Sequence, residues 1–172
     1  MSTRGVIAVR KEDGGFEGRF HHFDSYPSGL GKALYKLYRV RYNKNLESMI
    51  KELIQDHPAG WRSILDDLEC YCHNREKLFD PLLLTDKNTV GRGCEWAYVL
   101  YQENGKDYMD IYGSYNKDGS KMIGAFGHGD PKAKWKKVYT VRLSGREPSW
   151  NKIEKYSNYV SDLTKLQKKE KK

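Results

Sequence analysis

Alternating apolar and polar residues near the N-terminus predict two β-strands joined by a turn. Residues 4–11, RGVIAVRK, and residues 16–23, FEGRFHHF, both alternate with a period of two, and EDGG between them is a turn sequence. We therefore expect an N-terminal hairpin. Strand alternation places Phe20, His22 and Asp24 on one face of the second strand.

The pattern then changes from a period of two to helical spacing. The apolar residues of the next segment recur at i, i+3, i+4, i+7 and i+8, namely Leu30, Ala33, Leu34, Leu37 and Tyr38. Pro27 suits the first turn of such a helix, and Asp24 or Ser25 can cap it. A strand, a tight turn and a helix are thus predicted to meet within residues 18–31, GRFHHFDSYPSGLG.

A second helix is predicted from Leu46, with Asn45 as its N-cap, and the sequence DHPAG ends it. A third, shorter helix is predicted near residues 60–70. Residues 73–94 contain a proline and the cluster TDKNTVGRG, so we expect a loop there.

After residue 94 the pattern predicts an antiparallel meander of four strands, at 94–102, 106–115, 121–128 and 134–143. A closing helix is predicted over residues 150–167. The order of hairpin, helices, meander and helix predicts an α+β fold. We expect a single domain over residues 1–167 and a basic, disordered tail over 168–172.

The composition suits a cytoplasmic protein. At 172 residues the chain is long enough for one domain with its own core. It has no run of 18 apolar residues and no basic-then-apolar leader, which predicts neither a membrane span nor a secretory signal. Three cysteines, Cys70, Cys72 and Cys94, cannot all pair, and this favours a reducing compartment.

The positive charge is concentrated in the second half of the chain. Residues 1–86 hold 13 basic and 13 acidic side chains, whereas residues 87–172 hold 18 basic and 10 acidic ones, and the formal net charge is +8. This asymmetry predicts a polyanionic partner, either nucleic acid or an acidic protein surface. A solvated basic tail is the simpler alternative.

The segment KAKWKKVYTVRLSGR, residues 132–146, has six basic residues, no acidic residue and interleaved aromatic residues. Cations neutralise phosphates and aromatic rings stack on unpaired bases. The predicted nucleic-acid contacts are Lys132, Lys134, Trp135, Lys136, Lys137, Arg142 and Arg146. Strand alternation predicts that Lys134, Lys136 and Val138 share one face of this strand. Trp135, Lys137 and Tyr139 are predicted to share the other face. The alternative is an edge strand that lysine keeps soluble.

Two other polar groups favour ordinary structural roles. Cys70, Cys72 and His73 have CxC spacing and no second ligand pair nearby in sequence, so ordinary thiols are favoured over zinc. His128 and Asp130, in GHGDP, fit a hairpin turn, although a glycine-rich turn can also bind an anion. We predict no metal and no cofactor.

The junction between the hairpin and the first helix carries the predicted catalytic residues, His22, Asp24, Arg4 and Tyr26. An aspartate that accepts from an imidazole N–H fixes its tautomer and raises its basicity. Such a set could deprotonate a ribose 2′-OH while Arg4 stabilises charge at phosphorus, as a metal-independent ribonuclease would. The alternative is architectural, with Asp24 as a helix cap and His22 as a core histidine.

The N-terminal sequence MSTRGVIAVR…DGGFEGRFHHFDSYPSGLG resembles a widespread group of small proteins from phages, plasmids and other mobile elements. Their N-termini read M-[SAC]-T-R, then DG, then Y-x-H-W-D-G-Y-P. The matching positions are Thr3, Arg4, Ile7, His22, Asp24, Tyr26, Pro27 and Gly31. This chain departs from the pattern at Phe23, where the group has Trp, and at Ser25, where it has Gly.

The resemblance implies a counter-defence protein. Some mobile-element proteins of this size and style look like anti-CRISPR inhibitors of type II effector nucleases, and some of those act on the guide RNA. The implied partner is RNA or a CRISPR effector ribonucleoprotein in the cytoplasm of a bacterial host. Two alternatives remain: a protein–protein inhibitor without catalysis, and an N-terminal-nucleophile hydrolase that would use Ser2 after removal of Met1.

Overall fold

The computed structural model describes residues 3–72, 83–89, 93–123 and 133–170. Within these ranges the chain forms an eight-stranded mixed sheet. The strands are β1 Arg4–Arg10, β2 Phe16–His21, β3 Trp61–Ser63, β4 Glu69–Cys70, β5 Leu84–Thr85, β6 Cys94–Glu103, β7 Lys106–Tyr115 and β8 Lys134–Arg142. Their order across the sheet is β4-β3-β2-β1-β6-β7-β8, and β5 pairs with β2.

The helices lie in two groups along the chain. They are α1 Lys32–Val40, α2 Leu46–Ile50, α3 Trp150–Lys155 and α4 Leu163–Glu170. A π-helical turn, Pro27–Gly31, leads into α1, and another, Lys51–Gln55, continues α2. Helices and sheet together confirm the predicted α+β class. No helix in the described ranges is both long and apolar enough to span a membrane.

The predicted N-terminal hairpin is confirmed. β1 and β2 pair antiparallel with Gly5 opposite His21, and β1 also pairs in parallel with β6. Because β1 is central, both of its faces are buried. Ile7 lies in the main core with the helices, whereas Val6 and Ala8 belong to a smaller apolar cluster on the opposite face.

The π-helical turn before α1 starts at the predicted proline but lacks the predicted side-chain cap. Neither Asp24 nor Ser25 caps the turn through its side chain; instead the backbone carbonyl of Asp24 accepts from Leu30 N–H at 3.0 Å. Gly29 permits this close approach, since a Cβ there would lie 2.2 Å from the Asp24 carbonyl oxygen. The glycine therefore belongs to the turn despite its low helix propensity. The second predicted cap is confirmed, because the Asn45 side chain accepts from Ser48 N–H at 3.0 Å.

The helix predicted near residues 60–70 is wrong, because this segment forms the short strands β3 and β4. Trp61 lies opposite His21 on one side and Cys70 on the other. Its indole N–H donates to the Leu53 carbonyl at 2.8 Å, and its side chain is buried. Pairing with the edge of β2 therefore outweighs the weak helical pattern of a short apolar segment.

The C-terminal half differs from the prediction in three details. β7 pairs directly with β8, so the meander has three strands; Lys121 forms only an isolated bridge with Tyr115, and 124–128 lie outside the described residues. The closing helix is broken between α3 and α4, because Val160 N–H donates to the Gly119 carbonyl at 2.9 Å instead of continuing a helix. α4 runs to Glu170, three residues into the predicted tail.

A buried carboxylate marks the sheet face opposite the helices. Asp110 on β7 is 1% exposed and accepts from Tyr101 Oη at 2.9 Å and from Thr140 Oγ1 at 2.7 Å. The Arg10 guanidinium lies 3.4 Å from the carboxylate and 3.4 Å from the centroid of the Tyr101 ring. Arg10 is therefore a partly exposed counter-ion to a buried carboxylate, which matters for comparing it with Arg4.

Candidate functional site

The two adjacent histidines at the end of β2 have different environments. His21 is fully buried; its Nδ1 lies 2.9 Å from Ser25 Oγ, and its Nε2 accepts from Ile64 N–H at 3.1 Å. A ring whose Nε2 accepts must carry its proton on Nδ1, so Nδ1 donates to Ser25. Burial lowers the pKa of His21 to about 3. His21 is thus the neutral core histidine that the sequence argument considered for His22.

His22 is half-buried and reaches the surface. Its Nδ1 lies 2.5 Å from Tyr71 Oη, and its ring stacks on Phe23 with centroids 4.1 Å apart. Its backbone N–H donates to the Trp61 carbonyl at 3.0 Å, which fixes the strand end against β3. The ring is therefore held between Tyr71, from a distant part of the chain, and the adjacent Phe23.

Positive charge surrounds this imidazole. The hairpin register that sets Gly5 opposite His21 brings Arg4 beside His22. Burial first, and then the charges of Arg4 and Arg62, lower the pKa of His22 below its ordinary value of 6.5. His22 is therefore neutral at pH 7 and able to accept a proton. We call Arg4, His22, Phe23, Arg62 and Tyr71 the histidine cluster.

The other two predicted catalytic residues do not join this cluster. Asp24 is exposed with a φ of 53°, and its side chain hydrogen-bonds the Tyr26 hydroxyl. Burial, followed by the Asp24 carboxylate, raises the pKa of Tyr26. The predicted pairing of Asp24 with His22 is thus replaced by a Tyr71–His22 pair. Strand alternation ends at His21, so it does not extend to Asp24.

Tyr71 has no signal in the local sequence that would assign it to His22. It lies 49 residues away, in a segment predicted to be helical and then irregular. The pair forms because Tyr71 N–H donates to the Gly60 carbonyl at 3.1 Å, which aligns this segment with β3. A tertiary contact of this kind follows from sheet pairing and not from local spacing.

The predicted nucleic-acid contacts lie at the far edge of the sheet, on β8 and the turn after it. Lys134, Lys136, Lys137, Arg142 and Arg146 are all exposed. Towards the other residues that the structure describes, none of them forms an ion pair. We call these five residues the basic edge. Lys132, the sixth predicted cation, lies outside the described residues, as do His73, His128 and Asp130.

A β-bulge changes the predicted alternation along β8. Tyr139 pairs with Ile111 and Lys137 pairs with Tyr112, so Val138 is the extra residue. Val138 and Tyr139 therefore both pack towards the main core, and the predicted grouping of Tyr139 with Lys137 is wrong. A period-two argument from sequence has no means of locating such an insertion.

Trp135 is partly buried and makes contacts within the fold. Its indole N–H donates to Thr89 Oγ1 at 2.8 Å, and its ring meets Phe16 edge-on with centroids 5.7 Å apart. It packs against the smaller apolar cluster on the face opposite the helices. The exposed side chains of the basic edge are therefore cations, and a stacking role for Trp135 stays a prediction.

The histidine cluster and the start of the basic edge lie at the same end of the sheet. Arg4 begins β1, His22 follows β2 and Lys134 begins β8, and the strand registers place these three positions at the same end. Four inter-strand steps separate β2 from β8, which is roughly 19 Å at ~4.8 Å per step. One extended ligand could reach both regions, but a compact substrate could not.

The fold also assembles a group that the sequence argument set aside. His57, Cys70 and Cys72 each present a ligand atom, and these three atoms lie within 4.8 Å of one another. Spacing along the chain does not indicate this group, because His57 precedes Cys70 by 13 residues and is brought close only by the pairing of β3 with β4.

Comparison of the chain with family models, with curated proteins and with solved structures found no match. Its function is therefore inferred from the residues and their geometry. Ser2 precedes the described residues, so the alternative of an N-terminal nucleophile stays a prediction.

Proposed function

We propose that this protein binds RNA, alone or within a ribonucleoprotein, through the basic edge of its sheet. The observation that carries the proposal is that residues 134–146 hold five exposed cations, no acidic residue and no ion pair with the other described residues. Arg10, Arg41, Lys51 and Arg62 all lie within 4.0 Å of a carboxylate. The five cations of the basic edge have no such partner there, so their charge is directed to solvent and to a polyanion.

The shape of the basic edge supports a strand-like ligand. From Lys134 to Arg142 the strand extends over roughly 26 Å at ~3.3 Å per residue. Exposed cations spaced along such a length favour the phosphates of an extended polyanion over a single small anion. RNA is favoured over an acidic protein surface because the exposed cations follow one another without an acidic residue, as contacts to a run of phosphates require.

The target in this proposal is a guide-RNA-loaded effector nuclease of a host defence system. The support for it is the resemblance of the N-terminal motif, including Arg4 and His22, to proteins of mobile elements. The chain would then act as an anti-CRISPR protein in the cytoplasm of a bacterial host. A protein–protein inhibitor without catalysis is the outcome that the next experiment distinguishes.

The test is charge reversal along β8. The triple variant Lys134→Glu, Lys136→Glu and Lys137→Glu should lower RNA affinity by roughly 100-fold or more at low salt, since three phosphate contacts are lost. The slope of log affinity against log salt should fall by about 2. Fluorescence anisotropy with a labelled guide RNA measures both quantities, and inhibition of the loaded nuclease is assayed in parallel.

The matched control reverses three other exposed lysines, Lys32, Lys36 and Lys117. It changes the net charge by the same amount, so a general loss of positive charge would weaken both variants equally. Equal losses of RNA affinity in the two variants, or RNA binding that does not depend on salt, would contradict RNA binding by the basic edge. Inhibition that survives the β8 reversals without RNA binding would favour the protein-docking alternative.

A second function, cleavage of the bound RNA, is favoured by the histidine cluster. The neutral His22 ring is held at Nδ1 by Tyr71, and this leaves Nε2 to take a proton from a ribose 2′-OH. The 2′ oxygen would attack the adjacent phosphorus and form a 2′,3′-cyclic phosphate. The 5′ oxygen would leave with a proton from water, and Arg4 would stabilise the charge that develops on the phosphoryl oxygens.

Cleavage is tested with His22→Ala and with Asp24→Asn as the control. His22→Ala should lower the cleavage rate by about 10²–10⁴-fold, with little change in melting temperature because the side chain is half-buried. Asp24→Asn should cleave like the wild type, since Asp24 contacts Tyr26 and not His22. Intact guide RNA after incubation with the wild-type protein would exclude cleavage and leave binding alone.

A further inference from the structure

His57, Cys70 and Cys72 form a compact set of soft ligands. Their ligand atoms lie within 4.8 Å of one another, and all three residues are half-buried. In a tetrahedral zinc site with Zn–S near 2.3 Å and Zn–N near 2.0 Å, ligand atoms lie about 3.5–3.8 Å apart. Side-chain rotation alone closes the remaining difference of about 1 Å.

Backbone pairing fixes this set in place. A β-turn closes from Gly60 N–H to the His57 carbonyl at 3.1 Å, and Tyr71 N–H donates to the Gly60 carbonyl at 3.1 Å. Gly60 has a φ of 82°, and a Cβ there would lie 2.7 Å from the Phe20 carbonyl oxygen, so this turn requires glycine. His57 and the two cysteines are thus held next to each other by main-chain bonds and not by flexible loops.

The cysteine pair is arranged for metal binding. Cys72 N–H donates to Cys70 Sγ at 2.9 Å. A hydrogen bond to sulfur favours the thiolate, which is the form that ligates metal. The single residue between the cysteines, Tyr71, hydrogen-bonds His22 instead. The CxC spacing therefore serves two neighbouring groups at once.

We propose that His57, Cys70 and Cys72 bind one Zn²⁺ ion, with water as the fourth ligand. Two thiolates and an imidazole select a soft or borderline metal over Mg²⁺ or Ca²⁺, which prefer oxygen ligands. Binding releases two thiol protons to solvent, one from each cysteine. The ion would join the β-turn at His57 to the end of β4 and the residues just after it, Tyr71 and Cys72, and so it would hold Tyr71 against His22.

The first test measures zinc in the wild-type protein purified under reducing conditions. Native mass spectrometry and elemental analysis should find one zinc ion per chain. Cys70→Ser, Cys72→Ser and His57→Ala should each weaken binding by more than the ~10–100-fold that loss of an outer-shell partner costs. Cys94→Ala is the matched control, because Cys94 is buried in the separate apolar cluster on the opposite sheet face.

The second test needs no variant and so does not depend on how the variants fold. Co²⁺ added to metal-free wild-type protein should produce thiolate-to-cobalt charge-transfer absorption at one equivalent, and Zn²⁺ should abolish it. Zinc removal should also change the titration of His22 measured by NMR. No charge-transfer band, a Cys70–Cys72 disulfide that gains no metal on reduction, or equal zinc loss in Cys94→Ala would each overturn the proposal.

Discussion

The histidine-bearing side of the sheet and the basic edge differ in how their polar groups are used. Around the end of β2, His21 binds Ser25 and Ile64, and His22 binds Tyr71. Along β8, the cations of the basic edge have no carboxylate partner among the residues described. The polar groups around the end of β2 form hydrogen bonds within the fold, whereas the charged groups along β8 face the solvent.

This difference shows why a cluster of reactive residue types in sequence is weak evidence of a site. Four of the polar residues near the hairpin–helix junction, His21, Asp24, Ser25 and Tyr26, have partners within the same short segment or the core. Only His22 combines exposure, a fixed orientation and neighbouring positive charge. The charge asymmetry, which is a cruder signal, points to side chains that are available to a partner.

The largest expected effect on stability is at His21. His21→Ala should lower the free energy of unfolding by roughly 3–5 kcal/mol, because it leaves a cavity and deprives Ile64 N–H and Ser25 Oγ of a buried partner. Lys137→Ala on the basic edge should change it by less than about 0.5 kcal/mol. Urea denaturation measures both, and similar losses would mean that the two regions are equally structural.

Acid should reveal the same buried histidine. The folded-state pKa of His21 is about 3, below the ordinary value of 6.5, so only the unfolded chain takes up this proton between those values. The contribution of neutral His21 to the free energy of unfolding is fully present above pH 6.5 and is lost as the pH falls towards 3. The free energy of unfolding then falls by up to about 1.4 kcal/mol per pH unit. His21→Gln should remove this component from the stability profile; superimposable slopes for variant and wild type would contradict it.

Substitutions of Arg4 and Arg10 should have different effects, one on the pKa of His22 and the other on the stability of the fold. Arg10→Ala should lower stability by about 1–2 kcal/mol, since the buried Asp110 carboxylate loses its counter-ion. Arg4→Ala should have little effect on stability but should raise the pKa of His22, because one of the two charges that lower it is removed. NMR titration of the His22 ring checks the second result, and an unchanged His22 pKa would place Arg4 outside the histidine cluster.

A smaller effect than that of His21→Ala is expected at the hydroxyl that holds His22. Tyr71→Phe removes one hydrogen bond at a half-buried position and should cost about 0.5–1.5 kcal/mol. It should also increase the mobility of the His22 ring, which ¹⁵N relaxation of the imidazole reports. A loss of stability as large as that of His21→Ala would show that the main role of Tyr71 is to stabilise the core.

Local pattern predicts those elements whose partners are close in sequence. The hairpin, α1, the Asn45 cap and strands β6 and β7 follow from periodicity and turn residues alone. Residues 60–70 do not, because they become strands only by pairing with β2, and an isolated short apolar run fits helix and strand equally. The break after α3 has the same origin, in backbone bonds to a distant turn.

The candidate sites divide along the same line. Exposed lysines on β8 follow from charge and alternation, although the bulge at Val138 shifts the faces. The partners of His22 and the nearness of His57 to the two cysteines depend on the pairing of β3 with β2 and β4. Neither is encoded in spacing along the chain, so both require the tertiary structure.

The parallel pairing of β1 with β6 has a consequence for synthesis of the chain. Arg4 pairs with Cys94, so the hairpin leaves the ribosome long before its second neighbour exists. At about 5–20 residues per second this delay is roughly 5–18 s. Until β6 is synthesised, the edge of β1 that pairs with it lacks its partner, and Val6, Ile7 and Ala8, buried in the folded protein, lack part of their cover. An unpaired apolar strand edge can pair with other chains, so slower translation would lengthen the interval in which this edge is open to aggregation.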